Sequence, residues 1–300
     1  MSNSLRAVSA LVLSCVLLMV ASPAHAFDFR FDIGTYDCTP IGSDNHFCQT
    51  ELDHLNFVTT NGHLIGMGND AHRTEINANG NFLVAYYNNL SGLYGTYDGN
   101  QAAAQIENYI VANYTATGTK TLWVVINEIS GSLWPSSQAY RDWVRTAMYQ
   151  LHVTYGQKII LFAPFPQLTG NDTDWAALSG NVYVAAENYL SGAEVNGSGN
   201  SVSWCQAQYQ TTMNTYTAHG VPRAQLFLAE DYAQTVAGTG WGRAGVSYAG
   251  WDNAITTRAT ALHNIGFAGV VGYGWGWDGM HVSDADMTHF EDTYASKVLP

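Results

Sequence analysis

The chain has 300 residues, of which 47% are hydrophobic, 13% aromatic and only 12% charged, and its formal net charge is −13. Disordered proteins have few aromatic residues and many charges, so this composition predicts a folded chain. Since the chain is this acidic and has only three lysines, we do not expect it to bind the phosphates of a nucleic acid. A chain of this length buries enough surface for one large core, and the composition requires no second domain.

The first 26 residues have the pattern of a secretory signal peptide. Arg6 precedes the apolar run Ala7–Ala21, which is short for a membrane span, and Ala24–Ala26 supplies the small residues of a cleavage site. A membrane anchor is the alternative. We expect cleavage before Phe27, which would release a secreted or periplasmic protein with no membrane attachment. We also expect residues 27–300 to form one domain.

Three cysteines follow the signal segment. An oxidising compartment favours pairing, so we expect a disulfide between Cys38 and Cys48 that closes a short surface loop. Cys205 is left over and is expected to be a buried thiol.

A short apolar run that ends in polar or acidic residues recurs eight times along the chain. Such runs are typical of strands that are buried on both faces. In chain order, the predicted strands are Phe29–Asp37, Leu64–Asp70, Phe82–Asn89, Leu122–Glu128, Lys158–Phe165, Val182–Tyr189, Leu226–Tyr232 and Val270–Gly279.

Helix-like sequence lies between several of these runs. The predicted helices are Asn100–Tyr114, Ser137–Tyr155, Asp174–Ser179, Val202–His219 and Trp251–Ile265. Alternating strands and helices predict right-handed crossovers and a parallel sheet. Eight such units predict an α/β fold, a single (β/α)8 (TIM) barrel. A doubly wound sheet is the alternative, although no Gly-rich phosphate loop follows an early strand.

Acidic residues stand at the ends of these strands, where a (β/α)8 barrel carries its active site. A carboxylate at the end of a buried strand is costly unless it is paired, hydrogen-bonded or used in chemistry. Three of the chain's eight glutamates are among them. The acidic candidates are Asp37, Asp70, Glu128, Glu187, Glu230, Asp231 and Asp278.

Tryptophans near the same strand ends offer faces against which a sugar ring packs; they are Trp134, Trp175, Trp241, Trp275 and Trp277. Trp123 and Trp143 are instead expected to be core residues. Paired carboxylates cleave glycosidic bonds, because one protonates the leaving oxygen while the other attacks the anomeric carbon or activates water. We therefore expect an O-glycosyl hydrolase that needs no metal or other cofactor and acts on a polysaccharide or oligosaccharide. The negative charge favours a neutral or amino-sugar polymer.

Asn127-Glu128 at the end of the fourth predicted strand and Glu230 at the end of the seventh resemble the clan of retaining (β/α)8 glycoside hydrolases. That clan has its catalytic glutamates at strands four and seven, and the resemblance covers the whole predicted barrel in order. It implies that Glu128 is the general acid/base, that Glu230 is the nucleophile, and that Asn127 contacts the hydroxyl at the sugar 2-position.

The resemblance also implies that Tyr189 is the clan tyrosine near the nucleophile and that Trp275 or Trp277 is its sugar-stacking tryptophan. Two features depart from the clan pattern. Asn88–Asn89 stands where many members have a histidine-containing pair, and Glu187 is an additional acid. Glu187 is expected either to bind substrate or to replace one member of the catalytic pair.

Two other functions remain open. The same residues would serve a carbohydrate-binding barrel without catalysis. His72 near Asp70 and His281 near Asp278 are compatible with a metal-dependent polysaccharide hydrolase or deacetylase. For the hydrolase we expect a monomer whose substrate contacts are Asn127, Glu187, Tyr189, Trp134, Trp241, Trp275, Trp277, Asp37 and Asp278.

Overall fold

The computed structural model describes residues 29–34, 63–66, 83–114, 122–127, 129–164, 170, 172–231 and 248–275. Side chains are described for all of these except residues 29–34, 63–66, 83–84, 164, 230–231, 248 and 272–275. From residue 83 onward, strands alternate with helices in the described part of the chain, as predicted.

The strands are β1 (Phe29–Gly34), β2 (His63–Gly66), β3 (Leu83–Tyr87), β4 (Trp123–Ile126), β5 (Lys158–Pro164), β6 (Val182–Glu187), β7 (Leu226–Asp231) and β8 (Gly269–Trp275). Each begins within one residue of its predicted start and ends before its predicted end. The predicted strands extend too far toward their carboxyl ends, because each prediction included the polar residues that follow the apolar run.

The helices are α1 (Leu90–Leu93), α2 (Gly99–Tyr114), α3 (Leu133–Ser136), α4 (Gln138–Val153), α5 (Asp172–Leu178), α6 (Gly192–Gly197), α7 (Val202–Ala218) and α8 (Tyr248–His263). Five of them correspond to the predicted helices, and α1, α3 and α6 were not predicted. Helix α2 packs on α4, α4 on α5, and α7 on α8.

The strands form a parallel sheet in chain order. The six strands β3–β8 curl around a common interior, and the backbone of β1 pairs with both β2 and β8. The predicted parallel α/β sheet with helices along its outside is therefore confirmed. The segments after β1, β2 and β8 lie outside the described residues, so a complete (β/α)8 barrel stays a prediction.

Alternate residues of each strand face opposite sides of the sheet. One set packs with the helices and forms the larger core. The other set, which we call the interior cluster, contains strand residues alone: Tyr86, Trp123, Val125, Ile160, Phe162, Ala185, Phe227, Ala229 and Val271. Trp123 contacts Tyr183, which contacts Phe227, with ring centroids 5.3 and 5.5 Å apart. Aromatic rings thus fill the interior near the amino ends of β4, β6 and β7.

A buried group of ion pairs joins α4 to α5. The Asp174 side chain is only 3% exposed, and its Oδ2 lies 2.5 Å from Nε of Arg141. Arg145 pairs with the other carboxylate oxygen. Arg141 also donates to the carbonyl of Trp134 at 2.6 Å and to Oε1 of Gln138 at 2.8 Å. Asp174 therefore balances two guanidinium groups at one helix contact.

We predict that Asp174→Ala lowers the free energy of unfolding by about 3–5 kcal/mol, because it leaves the buried Arg141 without its carboxylate. The matched control is Asp172→Ala on the same helix. The Asp172 side chain is 74% exposed and pairs with His219, so its loss should cost about 0–1 kcal/mol. Urea unfolding of both variants measures the difference, and equal losses would contradict the assignment.

Candidate active site at the carboxyl ends of the strands

Asn127 lies directly after β4 and reaches across to β3. Trp123 and Val125 belong to the interior cluster, and Asn127 continues their alternation. Its Nδ2 donates a hydrogen bond of 3.0 Å to the hydroxyl of Tyr86, and its backbone N–H donates to the carbonyl of Tyr87 at 2.8 Å. The side chain is half-buried. Asn127 therefore lies at the carboxyl end of the interior, next to a tyrosine hydroxyl.

Glu187 and Tyr189 form a second polar pair at the carboxyl end of β6. Glu187 has the same parity as Tyr183 and Ala185, and Tyr189 packs against the interior cluster. The hydroxyl of Tyr189 donates to Oε1 of Glu187 at 3.3 Å. Both side chains are half-buried. A carboxylate, an amide and two phenols are thus brought to one end of the interior.

The backbone of Tyr86 is held from the helical side by Tyr114 on α2. The register of β2 with β3 ends at the pair Gly66 and Ala85. One residue further, the N–H of Tyr86 donates to the Tyr114 hydroxyl at 3.2 Å, and that hydroxyl donates to the Tyr86 carbonyl at 3.3 Å. A phenol both accepts and donates, so one buried side chain satisfies both backbone groups. This fixes the strand end that presents Tyr86 to Asn127.

Of the two glutamates predicted to be catalytic, the structure describes only the backbone of one. Glu128 lies outside the described residues, although it follows Asn127 directly. Glu230 is described by its backbone, which pairs with Gly272 of β8, and the preceding Ala229 pairs with Glu187. The register therefore brings the backbone of Glu230 next to the end of β6, and β4 lies three strands away.

Several other predicted residues fall outside the described side chains. Trp275 is the last residue of β8 and is described by its backbone. The disulfide between Cys38 and Cys48 stays a prediction, because both residues lie outside the described part of the chain. Residues that lie wholly outside the described part of the chain are Asp37, Cys38, Cys48, Asp70, Trp241, Trp277 and Asp278.

Trp134 and Trp175 belong to the helical layer. They are 3% and 1% exposed, and their ring centroids lie 4.6 Å apart. Trp134 was predicted to contact substrate, but a ring buried this completely offers no face to a sugar, so we remove it from the site. The same holds for Trp175. Trp123 and Trp143 are buried at 3% and 8% exposure, as predicted.

Tyr86 is a residue of this site that sequence reasoning missed. For the predicted strand Phe82–Asn89, only the terminal Asn88 and Asn89 were considered from the sequence, and both of these residues are exposed. The Tyr86-Tyr87 doublet carried the missing signal, because alternation sends one ring to each side of the sheet. Tyr86 joins the interior cluster, whereas Tyr87 contacts Tyr109 of α2, with ring centroids 5.3 Å apart.

In the described part of the chain, no three or more His, Cys, Asp or Glu side chains are grouped so that they could hold a metal ion. None of the described helices is both long and apolar enough to span a membrane.

Comparisons with known proteins find similarity at the level of the fold. No protein-family model matches the chain, and no curated protein sequence matches it. An endo-β-N-acetylglucosaminidase from Cordyceps militaris is 12% identical with a TM-score of 0.55, over 89% of this chain and 90% of that one. A double mutant of the same enzyme, in complex with fucosyl-N-acetylglucosamine-Asn, gives 11% identity and a TM-score of 0.56, over 89% and 90% of the two chains.

The C-terminal domain of a candidate chitinase from Desulfitobacterium hafniense is 10% identical with a TM-score of 0.58, over 91% of this chain and 99% of that one. The names of these neighbours are those of an enzyme and a candidate enzyme that cleave glycosidic bonds. At such identities the similarity establishes the fold.

Cys205 is a buried free thiol on α7, as predicted. Burial raises its pKa to about 11, although the nearby positive charge of Arg258 lowers it in part. Because the thiolate is the reactive form, the raised pKa makes this thiol unreactive at neutral pH.

We predict that native Cys205 does not react with a disulfide reagent such as dithionitrobenzoate at pH 8, where it is protonated and shielded. In denaturant, the wild type should release one more thiol equivalent than Cys205→Ser. The two proteins should be indistinguishable in native buffer. A rapid native reaction that Cys205→Ser abolishes would contradict the burial of this thiol.

Proposed function

We propose that this chain is a glycoside hydrolase that cleaves a neutral or amino-sugar polysaccharide by a two-glutamate, retaining mechanism. The observation that carries the proposal is the set of polar side chains at the carboxyl end of the interior: Tyr86, Asn127, Glu187 and Tyr189. This end of a parallel barrel is where such folds build their active sites. Carboxylate, amide and phenol groups can all hydrogen-bond to sugar hydroxyls.

Glu128 and Glu230 are the proposed catalytic pair. In the first step, Glu128 protonates the leaving oxygen while Glu230 attacks the anomeric carbon and forms a glycosyl-enzyme. In the second step, Glu128 takes a proton from water, which displaces Glu230. Asn127, next to Glu128 in the chain, is proposed to contact the hydroxyl at the sugar 2-position. In β7, Ala229 belongs to the interior cluster, so regular alternation gives the next position the opposite parity. The proposed pair therefore requires the alternation to break at Glu230, whose backbone lies next to the end of β6.

Glu187 is proposed to bind a sugar hydroxyl, and its hydrogen bond with Tyr189 supports that role. The phenol donates one proton to the carboxylate, which orients the two oxygens relative to the interior. Further contacts are proposed for Tyr189, Trp241, Trp275, Trp277, Asp37 and Asp278.

The proposal includes features of the whole chain. These are a complete (β/α)8 barrel over residues 27–300, removal of residues 1–26 as a signal peptide, and a secreted or periplasmic location. The pairing of Cys38 with Cys48 and the monomeric state also belong to it. Mass spectrometry of the exported protein would test the cleavage site and the disulfide together.

The substrate panel should begin with amino-sugar polymers. The structural neighbours with TM-scores above 0.5 include an endo-β-N-acetylglucosaminidase and a candidate chitinase domain. The net charge of −13 also favours neutral or amino-sugar chains over strongly anionic ones. Product analysis by mass spectrometry on chitin oligomers, N-glycans, glucans and anionic glycans tests the proposal. Binding without any cleavage across the panel would replace it with a non-catalytic carbohydrate-binding barrel.

We predict that Glu230→Gln abolishes turnover, because an amide cannot form the glycosyl-enzyme. Glu128→Gln should also be inactive on natural glycans, yet it should retain a first step on aryl glycosides whose leaving groups need no proton. Azide should rescue Glu128→Ala by taking the place of water in the second step. Glu187→Gln should mainly raise KM.

Steady-state kinetics of these variants on natural and activated substrates provides the measurement. If Glu187→Gln is inactive while Glu230→Gln keeps near-native activity, Glu187 replaces Glu230 in the catalytic pair. That result would leave the hydrolase proposal intact and correct the residue assignment.

We also predict that Tyr86→Phe lowers kcat/KM about two- to tenfold, because Asn127 loses a hydrogen-bond acceptor that orients its amide. Tyr87→Phe is the matched control, since its ring contacts helix α2 on the other side of the sheet. Kinetics on the best substrate compares the two. An equal loss in both variants would show that the Tyr86 hydroxyl has no particular role in the site.

A further inference from the structure

Helix α7 holds the end of β6 from outside through the hydroxyl of Thr212. The Nδ2 of Asn188 donates a hydrogen bond of 2.7 Å to Oγ1 of Thr212. The same hydroxyl donates to the carbonyl of Gln208 at 3.2 Å. Its single proton is thereby directed into the helix, and Oγ1 presents a lone pair to Asn188. Thr212 is completely buried, so water cannot replace this contact easily.

Asn188 stands between the two half-buried polar residues of the site. Tyr189 packs against the interior cluster and Glu187 has the interior parity, whereas the side chain of Asn188 reaches the helical layer. The backbone N–H of Asn188 donates to the carbonyl of Ala186 at 3.1 Å, which tightens the chain where the strand ends. A fixed Asn188 therefore limits how far Glu187 and Tyr189 can rotate about the backbone on either side of it.

A second hydroxyl of α7 acts one helical turn later. The Tyr216 hydroxyl donates to the carbonyl of Ala163 on β5 at 3.0 Å. Ala163 precedes Pro164, whose register partner is Glu187. Burial, followed by the negative charge of Glu187, raises the pKa of Tyr216, which therefore remains a neutral donor. Two side chains on one face of α7 thus hold the ends of β5 and β6.

We infer that Thr212 is a positioning residue, which acts through Asn188 to fix Glu187 and Tyr189 in the orientation that binds substrate. This inference rests on the proposed function, because it assigns the substrate contact to those two residues. Thr212 itself lies in the helical layer and does not touch the substrate.

Kinetics on the full chain tests the inference with three variants. Thr212→Val keeps the shape but removes the acceptor, and it should lower kcat/KM about tenfold, mainly through KM, because the Nδ2 of Asn188 then faces a methyl group and is no longer held. Thr212→Ser restores the hydroxyl and should return activity to within about twofold of the wild type. Thr215→Val is the control, because the Thr215 hydroxyl donates only within its own helix, to the Thr211 carbonyl.

A double-mutant cycle with Glu187→Gln separates positioning from general loss of stability. If Thr212 acts through Glu187, adding Thr212→Val to Glu187→Gln should lower kcat/KM by less than about twofold. The inference would be overturned if Thr212→Val lowered kcat/KM by the same factor in the wild type and in Glu187→Gln. It would also be overturned if Thr215→Val caused the same loss.

Amide hydrogen exchange without substrate separates this inference from the proposed function. Thr212→Val should speed exchange at residues 188–190, while Thr215→Val should not. If the wild type cleaves no glycan but the exchange result holds, the proposed function fails and the anchoring of this segment stands. Unchanged exchange at residues 188–190 would overturn the inference whatever the activity.

Discussion

The alternation of side chains along the parallel strands is the constraint on which this structure depends. Because successive residues face opposite sides, each strand divides its side chains between the interior cluster and the helical layer. Large aromatic rings near the amino ends fill the interior there. Polar residues of the same parity, Asn127 and Glu187, then emerge at the other end. The position of these two polar side chains therefore follows from strand parity and from the packing beneath them.

Strand ends in such a sheet leave backbone and side-chain groups that need hydrogen-bond partners. Here hydroxyls from the outer helices supply several of them: Tyr114 serves the backbone of β3, Tyr216 the backbone of β5, and Thr212 the turn after β6. The helical layer thus covers the sheet and also holds the segments that present the polar side chains. A substitution on a helix can consequently alter the site without any contact with substrate.

The strands and long helices could be predicted from sequence because apolar runs and helical periodicity extend over many residues there. The short helices α1, α3 and α6 could not, since four to six residues carry too little periodic signal. Trp134 was misplaced for a related reason. It follows β4 in the chain, but the short helix α3 turns its ring toward Trp175 in the helical layer. Tyr86 was missed because the Tyr86-Tyr87 doublet indicates that one ring faces each side of the sheet, but the sequence does not show which hydroxyl meets Asn127.

Chemical labelling of the nucleophile tests the central claim most directly. A slow 2-deoxy-2-fluoro glycoside of the preferred sugar should accumulate as a covalent glycosyl-enzyme, and peptide mass spectrometry should place the label on Glu230. A label on Glu187 would contradict the assignment of the pair. Turnover without any covalent intermediate, with inversion at the anomeric carbon, would contradict the retaining mechanism itself.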